Sequence, residues 1–191
     1  MRIAGGEFRG RVLYAPKGLD VRPTQDRVRE ALFSMLQNEI RGMSFLDLFA
    51  GSGGVGLEAL SRGAVSATFV ERSPQSLACI SRNIEELKIG PRCKVIRADV
   101  YEWLAGRSQV SDALDFDIAY ADPPYATGEK QGYADVLARL ADGGVVKAGG
   151  LFIAEMRHCQ TPDISPAWEL CRDRTYGQTR LAVYRRITAA G

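Results

Sequence analysis

The sequence predicts an α/β fold, a doubly wound, mostly parallel sheet of seven strands that closes in an antiparallel hairpin and is preceded by a small N-terminal β-hairpin arm. Three observations carry this expectation. Short apolar runs alternate with amphipathic helical stretches from residue 44 to residue 156, the rhythm of βαβ units. A glycine-rich turn, "FAGSGGVG", joins the first of these runs directly to a helical stretch. The last segment, "WELCRDRTYGQTRLAVYRRI", holds two extended runs around "YGQT" with no room for a helix between them, so that pair must be antiparallel.

The elements follow in order. Residues 2 to 15, "RIAGGEFRGRVLYA", interrupt extended pieces with Gly5, Gly6 and Gly10, the pattern of a hairpin. Residues 1 to 20 are therefore assigned to the arm and residues 21 to 191 to the main domain. From Thr24, "TQDRVREALFSMLQNEI" sets Val28, Leu32, Met35 and Leu36 on one stripe, with Asp26 in the first turn and Gly42 past the end, so it reads as an amphipathic helix. "SFLDLFA" (44 to 50) is an apolar strand broken by one acid, and "GVGLEALSR" begins a helix at once. "VSATFVE" (65 to 71) is the next strand; Ser73 caps and Pro74 starts a helix whose Leu77, Ile80, Ile84 and Leu87 share a face. "KVIRA" (94 to 98), "FDIAYA" (116 to 121) and "GLFIAEM" (150 to 156) supply further strands, with helices around 100 to 106 and 133 to 141.

At 191 residues and 46% hydrophobic, the chain suits one well-packed domain. No apolar run approaches the ~18 residues of a membrane span, and "MRIAGGEFRGRV" lacks the apolar core of a signal peptide, so a cytoplasmic monomer is expected. Cys79, Cys93, Cys159 and Cys171 are scattered, and His158 is the single histidine. That arithmetic suits neither a metal site nor a disulfide framework. The net charge of +2 hides a division: residues 1 to 29 carry seven Lys/Arg against three Asp/Glu, and residues 171 to 191 carry five against one. Basic ends around an acidic middle suggest phosphate contacts, for which Arg2, Arg9, Arg11, Arg22, Arg27 and Arg29 are the N-terminal candidates.

Acids stand at the ends of four successive strands: Asp47 inside the first, then Glu71, Asp99 and Asp122. At the carboxyl edge of a doubly wound sheet, ligands occupy the crevice outside the strand ends. Gly51, Gly53 and Gly56 satisfy G-x-G-x-x-G between strand and helix, and Glu71 lies 20 residues after Gly51, a spacing that suits the ribose of an adenosine ligand of either a dinucleotide or S-adenosylmethionine. Asp47 favours the second, because an acid near the loop attracts an ammonium and repels a pyrophosphate; it also suits the plainer task of tying the loop's amides.

"ADPPY" closes the fourth strand. Two prolines end a central strand abruptly, and a residue before proline is held extended, so Asp122 and Pro123 are rigid. With the glycine loop, Asp122-Pro123-Pro124-Tyr125 resembles the S-adenosylmethionine-dependent methyltransferases that modify exocyclic base amines. "RIAGGEFRGRVL", "RPTQDRVREALFSML", "DLFAGSGGVGLEALSRGA" and the final "GQTRLAVYRR" narrow this. In order and spacing they are similar to the bacterial RsmD-type family, the 16S ribosomal RNA guanine-N2 methyltransferases.

The resemblance implies a class I methyltransferase (Rossmann-like) fold, S-adenosyl-L-methionine as cofactor, 16S rRNA or the small ribosomal subunit as partner, and no metal. It assigns Asp47, Ala50, Gly51, Ser52, Gly53 and Gly56 to the loop around the methionine part of the cofactor. Glu71 with Arg72 falls at the ribose, Asp99 with Val100 at the adenine, and Thr24 near the cofactor. Asp122, Pro123, Pro124 and Tyr125 correspond to the catalytic turn: the Asp122 carboxylate and the Pro123 carbonyl accept the amine hydrogens while the Tyr125 ring stacks on the base. Arg22 or Arg27 pairs with the cofactor carboxylate or with an RNA phosphate. An N6-adenine DNA methyltransferase would use the same turn, but 191 residues hold no sizeable target-recognition region. An NAD-dependent oxidoreductase and a non-catalytic RNA-binding factor are further alternatives, opposed by Asp47 and by the intact turn.

Overall fold

The structure, a computed structural model, describes residues 1–16, 23–107, 116–123 and 133–187, leaving aside the side chains of 23–25 and 107. The chain divides into two compact units, residues 1–98 and 99–191. The first holds the arm, α1 (Pro23–Met35), β1 (Ser44–Leu48), α2 (Gly54–Ser61), β2 (Ser66–Glu71), α3 (Pro74–Leu87) and β3 (Cys93–Arg97), with a 3-10 turn over Gly90–Arg92 that the sequence reading did not anticipate. The second holds α4 (Val100–Arg107), β4 (Phe116–Ala121), α5 (Tyr133–Asp142), β5 (Val146–Arg157), β6 (Trp168–Tyr176) and β7 (Thr179–Arg186).

Seven strands form one sheet, mostly parallel and closing in an antiparallel pair as the sequence led one to expect, in the order β3-β2-β1-β4-β5-β7-β6. β1 pairs with β2, β2 with β3 and β4 with β5 in parallel, whereas β7 runs antiparallel to both β5 and β6. β1 and β2 are buried on both faces, Phe45, Leu46, Leu48, Phe69 and Val70 being wholly enclosed, which explains why they read as continuous apolar runs. Ser73 caps α3 by accepting the Ser76 N–H, Pro74 opens the helix, and Ile80, Ile84 and Leu87 turn inward. In the second unit Phe152 is ringed by Tyr133, Trp168 and Tyr184, with centroids 6.0, 6.0 and 6.1 Å away.

Two elements differ from expectation. β5 begins at Val146, ahead of Gly150, where the sequence reading started it. Gly149 adopts φ 78°, and a side chain at Gly150 would meet the Asp117 carbonyl at 2.8 Å, so the pair makes a bulge through which the strand continues while its register against β4 shifts. The arm is a hairpin with a single ladder pair, Arg2 opposite Val12. The Ile3 and Gly10 amides close it onto the Arg11 and Ile3 carbonyls at 3.0 and 2.8 Å, and Ile3 and Leu13 are buried beneath it.

Candidate active site

The glycine loop follows β1 in the first unit. Phe49 has φ 58° and Gly51 and Gly53 have φ 54° and 80°, a run of left-handed backbone that only a tightly determined turn sustains. At Gly51 a side chain would enter open space, whereas at Gly56 it would strike the Phe69 ring at 2.4 Å. Gly51 thus leaves the backbone open to a ligand, and Gly56 lets α2 approach β2.

Two carboxylates brace this loop. Asp47, 1% exposed, accepts the Gly56 N–H at 2.8 Å. Burial pushes its carboxyl from 3.8 up to about 8, against the Gly56 amide that lowers it and with help from the Glu71 charge. Asp47 thus performs the plainer of the two tasks its position suggested, tying the loop through the Gly56 amide. Glu71 accepts the Gly51 N–H on Oε2 at 2.8 Å and the Arg72 and Ser73 amides on Oε1 at 2.8 and 2.7 Å. A carboxylate has about four acceptor sites, so Oε2 has capacity for a hydroxyl beyond the Gly51 amide. An adenosyl ligand fits these residues: open backbone at Gly51 and an acceptor-only carboxylate at the end of β2. Ala50 is buried, its amide donating to the Val70 carbonyl at 3.2 Å, and Arg72 is exposed.

The second unit has two strand-end acids of its own. Asp99 accepts the Tyr101 and Glu102 amides at 2.9 and 3.4 Å and so caps α4, with Val100 buried behind it. Asp122 and Pro123 follow β4 and are half-buried. The Tyr133 hydroxyl stands between the Ala121 carbonyl, 3.1 Å away, and the Glu155 carbonyl, and the Tyr120 hydroxyl donates to Glu155 Oε2 at 2.5 Å. Burial raises the Glu155 carboxyl above its ordinary value, opposed by the Tyr120 hydrogen bond. Arg22, Pro124 and Tyr125 lie outside the described residues, as does the Thr24 side chain.

The N-terminal arginines separate into three kinds. Arg9 and Arg27 are exposed. Arg2 and Arg11 are exposed too, but donate to the Gly10 and Glu86 carbonyls at 3.1 and 2.9 Å. Arg29 corrects the expectation of a nucleic-acid contact: it is 6% exposed, donates to the Arg2 carbonyl and to Asp26, and forms an ion pair with Glu58 at 3.5 Å. It lies on the α1 face next to Val28, where the pairing with Glu58 carries it inside.

Sequence reasoning missed Glu58, Asn83 and Tyr133. Glu58 is fully buried in α2 and accepts the Ala4 and Gly5 amides at 2.8 and 2.9 Å and Arg62 Nε at 2.8 Å. A lone acid within "GLEAL" was the available signal, as was an asparagine in the middle of α3. Tyr133 read as an ordinary first helical residue, and nothing in its spacing sets it apart. Among the described residues there is no cluster of metal-ligating side chains and no helix long and apolar enough to cross a membrane.

The family model described as Conserved hypothetical protein 95 matches residues 1–185. Ribosomal RNA small subunit methyltransferase D of Escherichia coli is 34% identical over 187 residues, covering 97% of this chain and 90% of that protein. Among solved structures, the Escherichia coli protein yhhF superposes with a TM-score of 0.82 at 34% identity over 98% of both chains. A hypothetical protein of Thermus thermophilus, TTHA0928, gives a TM-score of 0.75 at 33% identity, covering 96% of this chain and 98% of that one.

Proposed function

This chain belongs to the Conserved hypothetical protein 95 family, and on that premise we propose that it is an S-adenosylmethionine-dependent methyltransferase of small-subunit ribosomal RNA, acting on the exocyclic N2 amine of a guanine in 16S RNA. One observation carries the reading. Asp122 directly follows an apolar strand with Pro123 and Pro124 next in sequence, in a chain that aligns over 97% of its length with a named small-subunit ribosomal RNA methyltransferase.

An exocyclic purine amine delocalises its lone pair into the ring and is a poor nucleophile. The Asp122 carboxylate and the Pro123 carbonyl oxygen accept its two hydrogens, draw the nitrogen toward pyramidal geometry and aim the lone pair. S-adenosylmethionine supplies an electrophilic methyl group on a sulfonium. Methyl transfer would leave the amine with a surplus proton, which Asp122 would take up and pass to water. Positioning and fixed dipoles of this kind lower a barrier by several kcal/mol. Glu71 holds the ribose and the open Gly51 backbone admits the methionine part, while Asp99 faces the adenine amine. The Tyr125 ring is assigned to the flipped base, where stacking contributes about 1 to 3 kcal/mol. Arg9 and Arg27 are assigned to RNA phosphates. The reaction is assigned to the cytoplasm and to a monomer, which sedimentation of the purified chain checks.

The test is methyl transfer from labelled S-adenosylmethionine to small subunits from cells lacking the endogenous activity, to naked 16S RNA and to duplex DNA. Label that digests to N2-methylguanosine supports the reading, and label confined to DNA adenine overturns it. Asp122→Ala should abolish turnover while cofactor affinity is kept; undiminished turnover would remove Asp122 from its assigned role.

A further inference from the structure

Asn83 is 1% exposed and lies on the buried face of α3 among Ile80, Ile84 and Leu87. Asparagine is disfavoured inside helices because its side chain competes for backbone hydrogen bonds; here that capacity is spent on two other segments. Oδ1 accepts the Tyr14 N–H at 2.7 Å. Nδ2 donates to the Tyr14 carbonyl at 3.0 Å and to the Ser52 carbonyl at 3.2 Å. Only Oδ1 can face an N–H, so the amide has one orientation.

Tyr14 ends the arm, and the Arg82 guanidinium stacks over its ring at 3.6 Å. Ser52 lies between Gly51 and Gly53, the two left-handed glycines of the loop. One planar amide therefore holds the end of the arm by both its backbone groups and, with its remaining hydrogen, the carbonyl on which the loop turns. Displacing either partner rotates the plane away from the other.

We propose that Asn83 is a positioning residue that couples the arm to the glycine loop, so that seating the arm sets the Ser52 peptide for the cofactor and filling the loop tightens the arm. The cofactor half of this statement rests on the reading of the loop under the proposed function. Coupling between two binding events is reciprocal, so RNA phosphates engaged by the arm strengthen cofactor binding, and the cofactor strengthens RNA binding by the same factor.

Amide hydrogen exchange with and without S-adenosylhomocysteine tests this on the full chain. In the native protein the ligand should slow exchange at the Tyr14 amide by about fivefold or more. Asn83→Ala should abolish that response and weaken S-adenosylhomocysteine binding by about fivefold to tenfold. Without ligand, Asn83→Ala should speed exchange at Tyr14 and also at Gly53, whose amide donates to the Ala50 carbonyl at 2.7 Å. Ser61→Ala is the control: it removes the acceptor of the Phe8 amide at the arm's tip, 2.9 Å away, and should speed Phe8 alone.

Faster exchange confined to Tyr14 in Asn83→Ala, or unchanged ligand affinity, would reduce Asn83 to a tie for the arm and overturn the coupling. If the native protein binds no S-adenosylhomocysteine, the cofactor reading falls, and the ligand-free comparison of Tyr14 with Gly53 still decides whether arm and loop move together. If Asn83→Ala does not fold, the ligand response of Tyr14 in the native protein decides.

Discussion

The Tyr133 hydroxyl lies 3.1 Å from the carbonyl oxygen of Ala121, and that carbonyl belongs to the peptide that leads into Asp122. Fixing this peptide plane limits the rotation that aims the Asp122 side chain. Tyr133→Phe keeps the ring in its contact with Phe152 and removes only the hydroxyl. It should cost about 1 kcal/mol of stability, the usual worth of one hydrogen bond, and should lower turnover roughly tenfold through misplacement. Steady-state kinetics well below the melting temperature separate the two effects: cofactor affinity should be unchanged. Full turnover would show that Asp122 is held in place without this hydroxyl.

Glu58 and Arg9 should behave in opposite ways. Glu58 is buried against Arg29 and Arg62 and carries two arm amides, so Glu58→Ala leaves buried charge uncompensated and should cost about 3 to 5 kcal/mol in urea unfolding. Arg9→Ala removes an exposed side chain and should leave unfolding unchanged. It should instead weaken RNA binding and reduce the slope of log affinity against log salt by about one. Arg29→Ala should follow Glu58 in unfolding, and a fully stable Arg29→Ala would contradict the buried network.

Asp47 gives the protein a pH dependence of determined sign. Its carboxyl titrates at about 8 in the native chain against 3.8 ordinarily. Between those values the native protein binds a proton that the unfolded chain has released. Its contribution is therefore complete below the lower value, declines as pH rises and is gone above the upper one. Asp47→Asn offers Gly56 an amide oxygen that never ionises. The variant's melting temperature should exceed the native protein's by a little near pH 5 and by more near pH 9, and parallel melting curves across that range would refute the assignment.

What the sequence disclosed and what it withheld divide along physical lines. The parallel strands were legible because both faces of β1 and β2 are buried, leaving unbroken apolar runs, and the final hairpin because "YGQT" leaves no length for a crossover. The glycine loop was legible from spacing alone. The early start of β5 was hidden because only the apolar run from Gly150 onward showed a strand pattern, whereas the close Asp117 carbonyl makes Gly149 and Gly150 a bulge that the strand passes through. Arg29 looked like its exposed neighbour Arg27, since helical position shows which face a residue occupies only when the partner on that face, Glu58, is known. Asn83 and Tyr133 act through partners distant in sequence, which periodicity does not report.

The three amides held by Glu71 also bear on how quickly the loop accepts its ligand. A loop tied at Gly51 to the turn after β2, whose Arg72 and Ser73 amides the same carboxylate holds, surrenders little conformational freedom when it is filled. Capture of the cofactor should then be a one-step collision, its observed rate rising in proportion to concentration without the plateau that a slow rearrangement imposes.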